Sequence, residues 1–236
     1  MFDRILNTAL QRPLSSLAGT LVRLGWRADQ VTWAGFALGL LAVPLIALGH
    51  TQWALLAMAL NRLADGLDGS MARLTQPTDR GAFLDISLDF LFYASIPLAF
   101  ALADPASNAL AAAVLIYSFI GTAGTFLAFA VLAAKRGLSS TAYPGKGFYY
   151  LGGLTESFET LLVFTLMCLL PGWFSTLAYG FAALCAVTTV TRIVAGIRVF
   201  RPDQDAATQT VDSTGEQTGA LRPDQGHNPQ DTERQQ

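Results

Sequence analysis

Six apolar segments, near residues 31–50, 52–73, 81–103, 108–134, 150–171 and 173–197, constrain this chain more than any other feature. Each approaches or exceeds the ~20 residues that a helix needs to cross a hydrocarbon layer. Only helices and closed barrels satisfy every backbone donor and acceptor in lipid, and runs of this length select the helix. Charged residues make up 14% of the chain, against about 25% in a typical soluble domain, so a membrane class is favoured over a water-soluble core. Cys168 and Cys185 both fall inside apolar runs, as buried space-fillers rather than a disulfide or metal pair.

Basic residues orient the segments. Arg4, Arg12, Arg23 and Arg27 precede the first, and Arg73 and Arg80 flank the turn between the second and third. Lys135, Arg136 and Lys146 separate the fourth from the fifth, while Arg198 and Arg201 follow the sixth. The connections at His50–Gln52, Asp104–Asn108 and Pro171–Trp173 contain no Lys or Arg. The positive-inside rule therefore predicts six spans with both termini in the cytoplasm. Trp33, Trp53 and Trp173 fall near proposed span ends, where indole rings anchor at the interface.

The chain divides into three parts on this reading. Residues 1–30 form an amphipathic arm, with Phe2, Ile5, Leu6, Ala9 and Leu10 at helical spacing, suited to lying along the membrane surface. Residues 31–201 form the six-helix transmembrane domain. Residues 202–236 carry seven acids against two arginines and almost no aromatics, which predicts a disordered acidic tail. With the tail set aside, the membrane part is net positive although the whole chain is −2. His50 and His227 are read as solvated side chains without a catalytic role.

Four aspartates interrupt the second and third apolar segments: Asp65, Asp68, Asp85 and Asp89. The first two are three apart and the last two four apart, so each pair shares a helix face. Pro77 and Gly81 in the intervening "RLTQPTDRG" argue for a turn. Counted from Pro77, Asp68 lies nine residues back and Asp85 eight forward, while Asp65 and Asp89 are each twelve away. Two antiparallel helices joined there bring the pairs level, a turn or two inside the cytoplasmic face.

Four bare carboxylates in that setting are costly. One charge deep in a span costs about 2.5–3.5 kcal/mol, and two carboxylates ~4 Å apart repel by about 4 kcal/mol at an effective dielectric near 20. Two divalent cations would balance four carboxylates, and all-oxygen donors suit hard ions such as Mg²⁺ or Mn²⁺. A pair of such ions stabilises both attacking and leaving oxygens in displacement at phosphorus. Gly66, Gly69, Ser70 and Ala72 keep one side of the helix thin enough for a bulky ligand, and Arg73 and Arg80 stand at the mouth where guanidinium groups hold phosphates. The structural alternative is a set of protonated or Arg-paired acids, for which Arg62, Arg73 and Arg192 supply few intramembrane cations.

The spaced set Asp65-x2-Asp68-Gly69-x2-Ala72-Arg73, then Gly81-x3-Asp85-x3-Asp89, resembles the signature of the CDP-alcohol phosphatidyltransferases. Seven residues separate Arg73 from Gly81, one fewer than the family pattern. The resemblance implies transfer of a phosphatidyl group from a CDP-linked lipid, such as CDP-diacylglycerol or another CDP-alcohol, to a small alcohol or phospho-alcohol, with release of CMP. It implies metal ligation by Asp65, Asp68 and Asp85. Asp89 would complete the metal site and serve as general base, and Gly69, Ala72, Arg73 and Gly81 would line the nucleotide pocket. It further implies two Mg²⁺ or Mn²⁺ ions, a homodimer permitted by small residues such as Gly121, Gly124 and Ala128, and a site facing the cytoplasm from a bacterial inner membrane. No nucleic-acid partner is expected.

The acceptor is not named by these residues. Glu156 and Glu159 enter the fifth apolar run and either read a polyol or cationic amino-alcohol or favour a helix N-terminus. Lys146 and Arg192 are candidates for an acceptor phosphate. The competing functions are an ion-binding membrane transporter, a catalytically silent relative, and an intramembrane prenyltransferase. The last requires a second acidic cluster in a later helix, for which Glu156 and Glu159 are a poor substitute.

Overall fold

The structure is a computed structural model that describes residues 2–137 and 157–200, with the backbone alone for residues 2–12. Lys146, Glu156, residues 150–156 of the fifth predicted span and the tail from residue 202 lie outside the described residues. Every regular element described is helical: α1 (Phe2–Arg23), α2 (Ala28–Leu40), α3 (Ala42–Ala47), α4 (Thr51–Leu74), α5 (Asp79–Ala103), α6 (Pro105–Lys135), α7 (Ser157–Leu169) and α8 (Phe174–Val199), with a 3-10 turn at Pro171–Trp173 before α8. Residues 1–193 form one compact unit, and a second begins at Val194, of which residues 194–200 are described.

Among the described residues, four segments are long and apolar enough to cross a membrane: Ala28–Ala47, Asp79–Ala103, Pro105–Lys135 and Pro171–Val199. They correspond to the first, third, fourth and sixth predicted spans. The first is broken at Leu41 into α2 and α3. Pro44 explains the break, because it offers no N–H to the Leu40 carbonyl and its ring crowds that group. α4, the second predicted span, has 24 residues and reaches about 36 Å at 1.5 Å per residue. It fails the apolar test because Arg62, Asp65, Asp68 and Arg73 are all on it. The described part of the fifth, α7, is 13 residues.

Helix ends follow local chemistry. α1 ends with Gly25 at φ +84°, where the Trp26 N–H bonds Leu21 O and the Gly25 N–H bonds Val22 O. Gly49, at φ +79°, closes α3 in the same way. Both are left-handed positions that only glycine takes without strain, and they direct the chain into the next helix. The α4–α5 turn contains Pro77 as predicted. Gly81 proves to lie inside the first turn of α5, its N–H bonded to the Thr78 cap at 3.0 Å.

Two buried clusters hold the first unit together. The larger draws Ile46, Met58, Phe92, Ile96, Phe100, Leu115, Phe164, Met167, Phe174 and Phe181 from α3 through α8. The smaller joins Ala18 of α1, Val31 of α2 and Met71 of α4. Cys168 and Cys185 are both buried within the larger cluster, and neither is in a disulfide. On α4 the stretch Asn61–Asp68 lies between Met58 of one cluster and Met71 of the other.

α2 and α4 share a more extensive contact than any other pair of helices described. A Cβ at Gly35 would overlap the Cβ of Ala64, and one at Gly39 would stand 2.9 Å from Asn61 Cγ. These two glycines therefore set the α2–α4 separation, as small residues do between membrane helices.

Candidate functional site

The four aspartates line a single open cleft between α2, α4 and α5, together with Thr32, Gly35, Phe36, Asn61, Arg62 and Leu88. The space in and over it, counted out into open solvent, is about 250 Å³. The antiparallel pairing of α4 and α5 thus brings the two sequence half-sites level. Asp65, Asp85 and Asp89 each present a carboxylate oxygen, all within 4.8 Å of one another. Asp68 lines the same cleft with one oxygen engaged by α2: Thr32 Oγ1 donates to its Oδ2 at 2.5 Å. Thr32 also donates to Ala28 O at 3.1 Å, which shares its hydroxyl between the helix and the carboxylate.

Arg62 sits against this group. One terminal nitrogen donates to Asp89 Oδ1 at 2.6 Å, and the other approaches Asp65 Oδ2 at 3.6 Å. Arg pairing of these acids is therefore present, but one guanidinium faces four carboxyl groups. The sequence marks Arg62 only as a scarce counter-charge. Periodicity gives neither its specific partner nor the part played by Thr32 and Asn61. "NR" just ahead of the first aspartate is the available signal for Asn61 and Arg62, while nothing marks Thr32, a whole helix away.

Gly69, Ala72, Arg73 and Gly81 lie beyond the lining of this cleft, toward the C-terminal end of α4 and the start of α5. Arg73 folds back along its own helix, donating to Ser70 Oγ at 3.0 Å, and its guanidinium lies 3.5 Å from where a Cβ on Gly69 would be. Gly69 meets no other group there, so a thin strip of α4 remains beside the arginine. Gly66 has a different neighbour: a Cβ there would come within 3.2 Å of Leu14 of α1. That glycine admits the N-terminal helix. Across the mouth, Arg80 pairs with Asp29 of α2 at 3.2 Å.

The acceptor candidates divide. Arg192 is buried between α6 and α8, donates to Thr122 O at 3.0 Å and lies over the Phe126 ring at 5.8 Å. It ties the two helices and is not in the cleft lining. Glu159 lies in the first described turn of α7, where a carboxylate favours a helix N-terminus. Among the small residues of α6, Gly121 packs within the chain on Thr189, whereas a Cβ on Gly124 would meet no described atom within 4 Å.

The chain is 52% identical over 196 residues to the inner membrane protein YnjF of Escherichia coli, an alignment covering 83% of this chain and 95% of that protein. It is 36% identical over 94 residues to the archaetidylinositol phosphate synthase of Pyrococcus horikoshii, covering 39% of this chain and 50% of the relative. Its fold matches a crystal structure of Mycobacterium tuberculosis phosphatidylinositol phosphate synthase with CDP-DAG bound, at a TM-score of 0.65 and 21% identity over 79% of this chain and 94% of the other. A second crystal structure of that enzyme, in complex with manganese and citrate, matches at a TM-score of 0.63 with 21% identity, over 78% of this chain and 88% of the other. The CDP-alcohol phosphatidyltransferase family profile matches residues 26–193, spanning α2 to the described end of the first unit and both halves of the aspartate site. With most of its length matched and the spaced aspartates gathered in one cleft, the chain belongs to the CDP-alcohol phosphatidyltransferase family.

Proposed function

We propose that this phosphatidyltransferase takes CDP-diacylglycerol as donor, holds a divalent metal with its aspartates, and passes the phosphatidyl group to a small alcohol or phospho-alcohol. The observation that carries this is the gathering of Asp65, Asp85 and Asp89 oxygens within 4.8 Å, with Asp68 in the same cleft. An all-oxygen, anionic donor set of this kind fits Mg²⁺ or Mn²⁺, and four carboxylates accommodate two such ions. When bound, the ions supply Lewis-acid polarisation of the diphosphate and charge neutralisation for the departing CMP.

The protein's own residues do the rest. Asp65, Asp68 and Asp85 hold the metal, with Asp68 oriented by Thr32. Asp89 completes the site and accepts the proton of the acceptor hydroxyl, whose oxygen forms a bond to the lipid-side phosphorus as the bond from that phosphorus to CMP breaks. Gly69, Ala72 and Gly81 leave room for the nucleotide beside Arg73, whose guanidinium suits a phosphate. Glu159 and Arg192 remain candidates for reading the acceptor only through their helices, since neither lines the cleft.

The membrane arrangement follows from the same residues. Six crossings, with α4 and α7 as the second and fifth, place Arg73, Arg80, Lys135 and Arg136 on one side with the termini. By the positive-inside rule that side is the cytoplasm of a bacterial inner membrane, and the aspartate cleft opens toward it. α1 lies along the surface, and residues 202–236 form a polar tail. Gly124 and Ala128, exposed one helical turn apart on α6, leave a smooth strip for a second copy.

The test is a membrane assay with labelled CDP-diacylglycerol, Mg²⁺ and a panel of acceptors: glycerol 3-phosphate, serine, inositol, inositol phosphate, choline and phosphatidylglycerol. The expected result is CMP release that depends on one acceptor and disappears in Asp89→Asn, which still inserts and folds. Divalent-ion binding without CMP release for any acceptor would support an ion-binding membrane protein instead.

A further inference from the structure

We propose that Arg62 is a positioning residue for the transfer reaction: its guanidinium fixes the Asp89 carboxylate in the orientation from which it takes the acceptor's proton. This rests on the reading of Asp89 as the base.

The contacts distinguish Asp89 from the other acids. Arg62 reaches it at 2.6 Å, within strong charge-assisted hydrogen-bond range, but stands 3.6 Å from Asp65 on its own helix. Asp68 is satisfied by Thr32 instead. A guanidinium serving only to lower the net charge would gain most from a central place among the acids. This one hydrogen-bonds a carboxylate on the facing helix at 2.6 Å and keeps only a looser ion pair, at 3.6 Å, with Asp65.

The guanidinium is itself held from behind. Its Nε and one terminal nitrogen donate to Asn61 Oδ1 at 2.9 and 2.7 Å, and its other terminal nitrogen donates to Tyr93 Oη at 3.2 Å. Asn61 is anchored in turn, donating from Nδ2 to Gly35 O at 2.9 Å. The Phe92 and Tyr93 rings flank the guanidinium at 5.0 and 5.4 Å. A chain of contacts thus runs from the α2 backbone through Asn61 and Arg62 to Asp89, and Tyr93 lies one turn beyond Asp89 on α5. Only the planar, multi-donor Arg fork makes all these bonds together. Because Oδ1 of Asp89 is committed to Arg62, proton uptake falls to Oδ2.

The experiment uses the purified full-length chain as wild type, Arg62→Gln, Arg62→Lys and Asp89→Asn. It reads kcat and KM for CMP release, together with Mn²⁺ binding by electron paramagnetic resonance in the absence of substrates. Arg62→Gln is expected to lower kcat about 10–100-fold while donor KM and Mn²⁺ affinity stay within about twofold. Arg62→Lys restores the charge without the fork and falls between the two. Wild-type kcat in Arg62→Gln overturns the proposal. So does full recovery of kcat in Arg62→Lys, which would make Arg62 a counter-charge whose fork is not needed. If Arg62→Gln does not fold, Arg62→Lys and Tyr93→Phe decide, since wild-type kcat in both overturns the idea. Activity in Asp89→Asn defeats the base reading itself. An inactive Asp89→Asn beside an unimpaired Arg62→Gln defeats only the role of Arg62.

Discussion

Gly35→Ala tests the geometry on which the whole site depends. The substitution adds one carbon, yet that carbon would overlap Ala64 Cβ on α4, and neither atom sits on a flexible side chain. The two helix backbones must therefore move apart. Overpacking of this kind costs about 1–3 kcal/mol, while replacing a mid-helix glycine with alanine returns about 0.5–1 kcal/mol. The clash wins, leaving a net loss of about 1–2 kcal/mol. At roughly 2–4 °C per kcal/mol for a unit of this size, the expected fall in Tm is about 2–8 °C. Gly35 O also anchors Asn61 Nδ2, and Asn61 holds Arg62, so the displacement is transmitted to Asp89. Catalysis should consequently fall further than stability does. The assay is thermal unfolding in detergent beside CMP release at a temperature where both proteins are folded. Gly180→Ala on α8, where an added carbon meets nothing within 4 Å, is the control and should keep full activity with a Tm at or slightly above that of wild type. A Gly35→Ala protein with unchanged Tm and full activity would refute the close α2–α4 approach and the contact chain built on it.

Other predictions follow from single contacts. Thr32→Val removes the 2.5 Å bond to Asp68 at nearly constant volume, and should raise the Mn²⁺ concentration for half-maximal activity about tenfold or more, read by metal titration. Chelation with EDTA should stop CMP release, and added Mg²⁺ or Mn²⁺ should restore it; activity persisting in EDTA would contradict metal ligation by the aspartates. Asp104 caps α6, accepting the Ser107 N–H at 3.2 Å, and hydrogen bonds from the Ser107 side chain and backbone hold its carboxyl below the usual range. A lowered folded-state pKa means that the cap's contribution is fully present above the ordinary aspartate pKa of ~4 and is lost as pH falls through the folded value. The Tm difference between wild type and Asp104→Ala should therefore hold steady near neutral pH and shrink below about pH 4, as followed by unfolding at a series of pH values.

Much of the architecture is legible in the sequence because it is local. Helical periodicity and the cost of unpaired backbone in lipid make α2, α5, α6 and α8 readable as apolar runs. Near-equal spacing about Pro77 makes the convergence of Asp65, Asp68, Asp85 and Asp89 readable before any packing is known. The six-span reading outruns the apolar test at α4 for a physical reason: the helix that carries the site must carry its charges. The break at Leu41 is legible in principle from Pro44, whose missing N–H acts within one turn.

The glycines show where such reading stops. Spacing offers Gly66 as space for a nucleotide, but it faces Leu14, on a helix far back in the sequence, and it offers Gly121 to a second copy, but that glycine packs on Thr189. Spacing assigns a residue to a helix face; it does not say which helix lies opposite that face. For the same reason the aspartate signature and its phosphoryl chemistry belong to the sequence, whereas the pairing of Thr32 with Asp68 and Arg62 with Asp89 was decided by tertiary structure. Those bonds depend on how far α2 and α5 are displaced along α4, and contacts at Gly35 and Gly39 between distant parts of the chain set that displacement for α2.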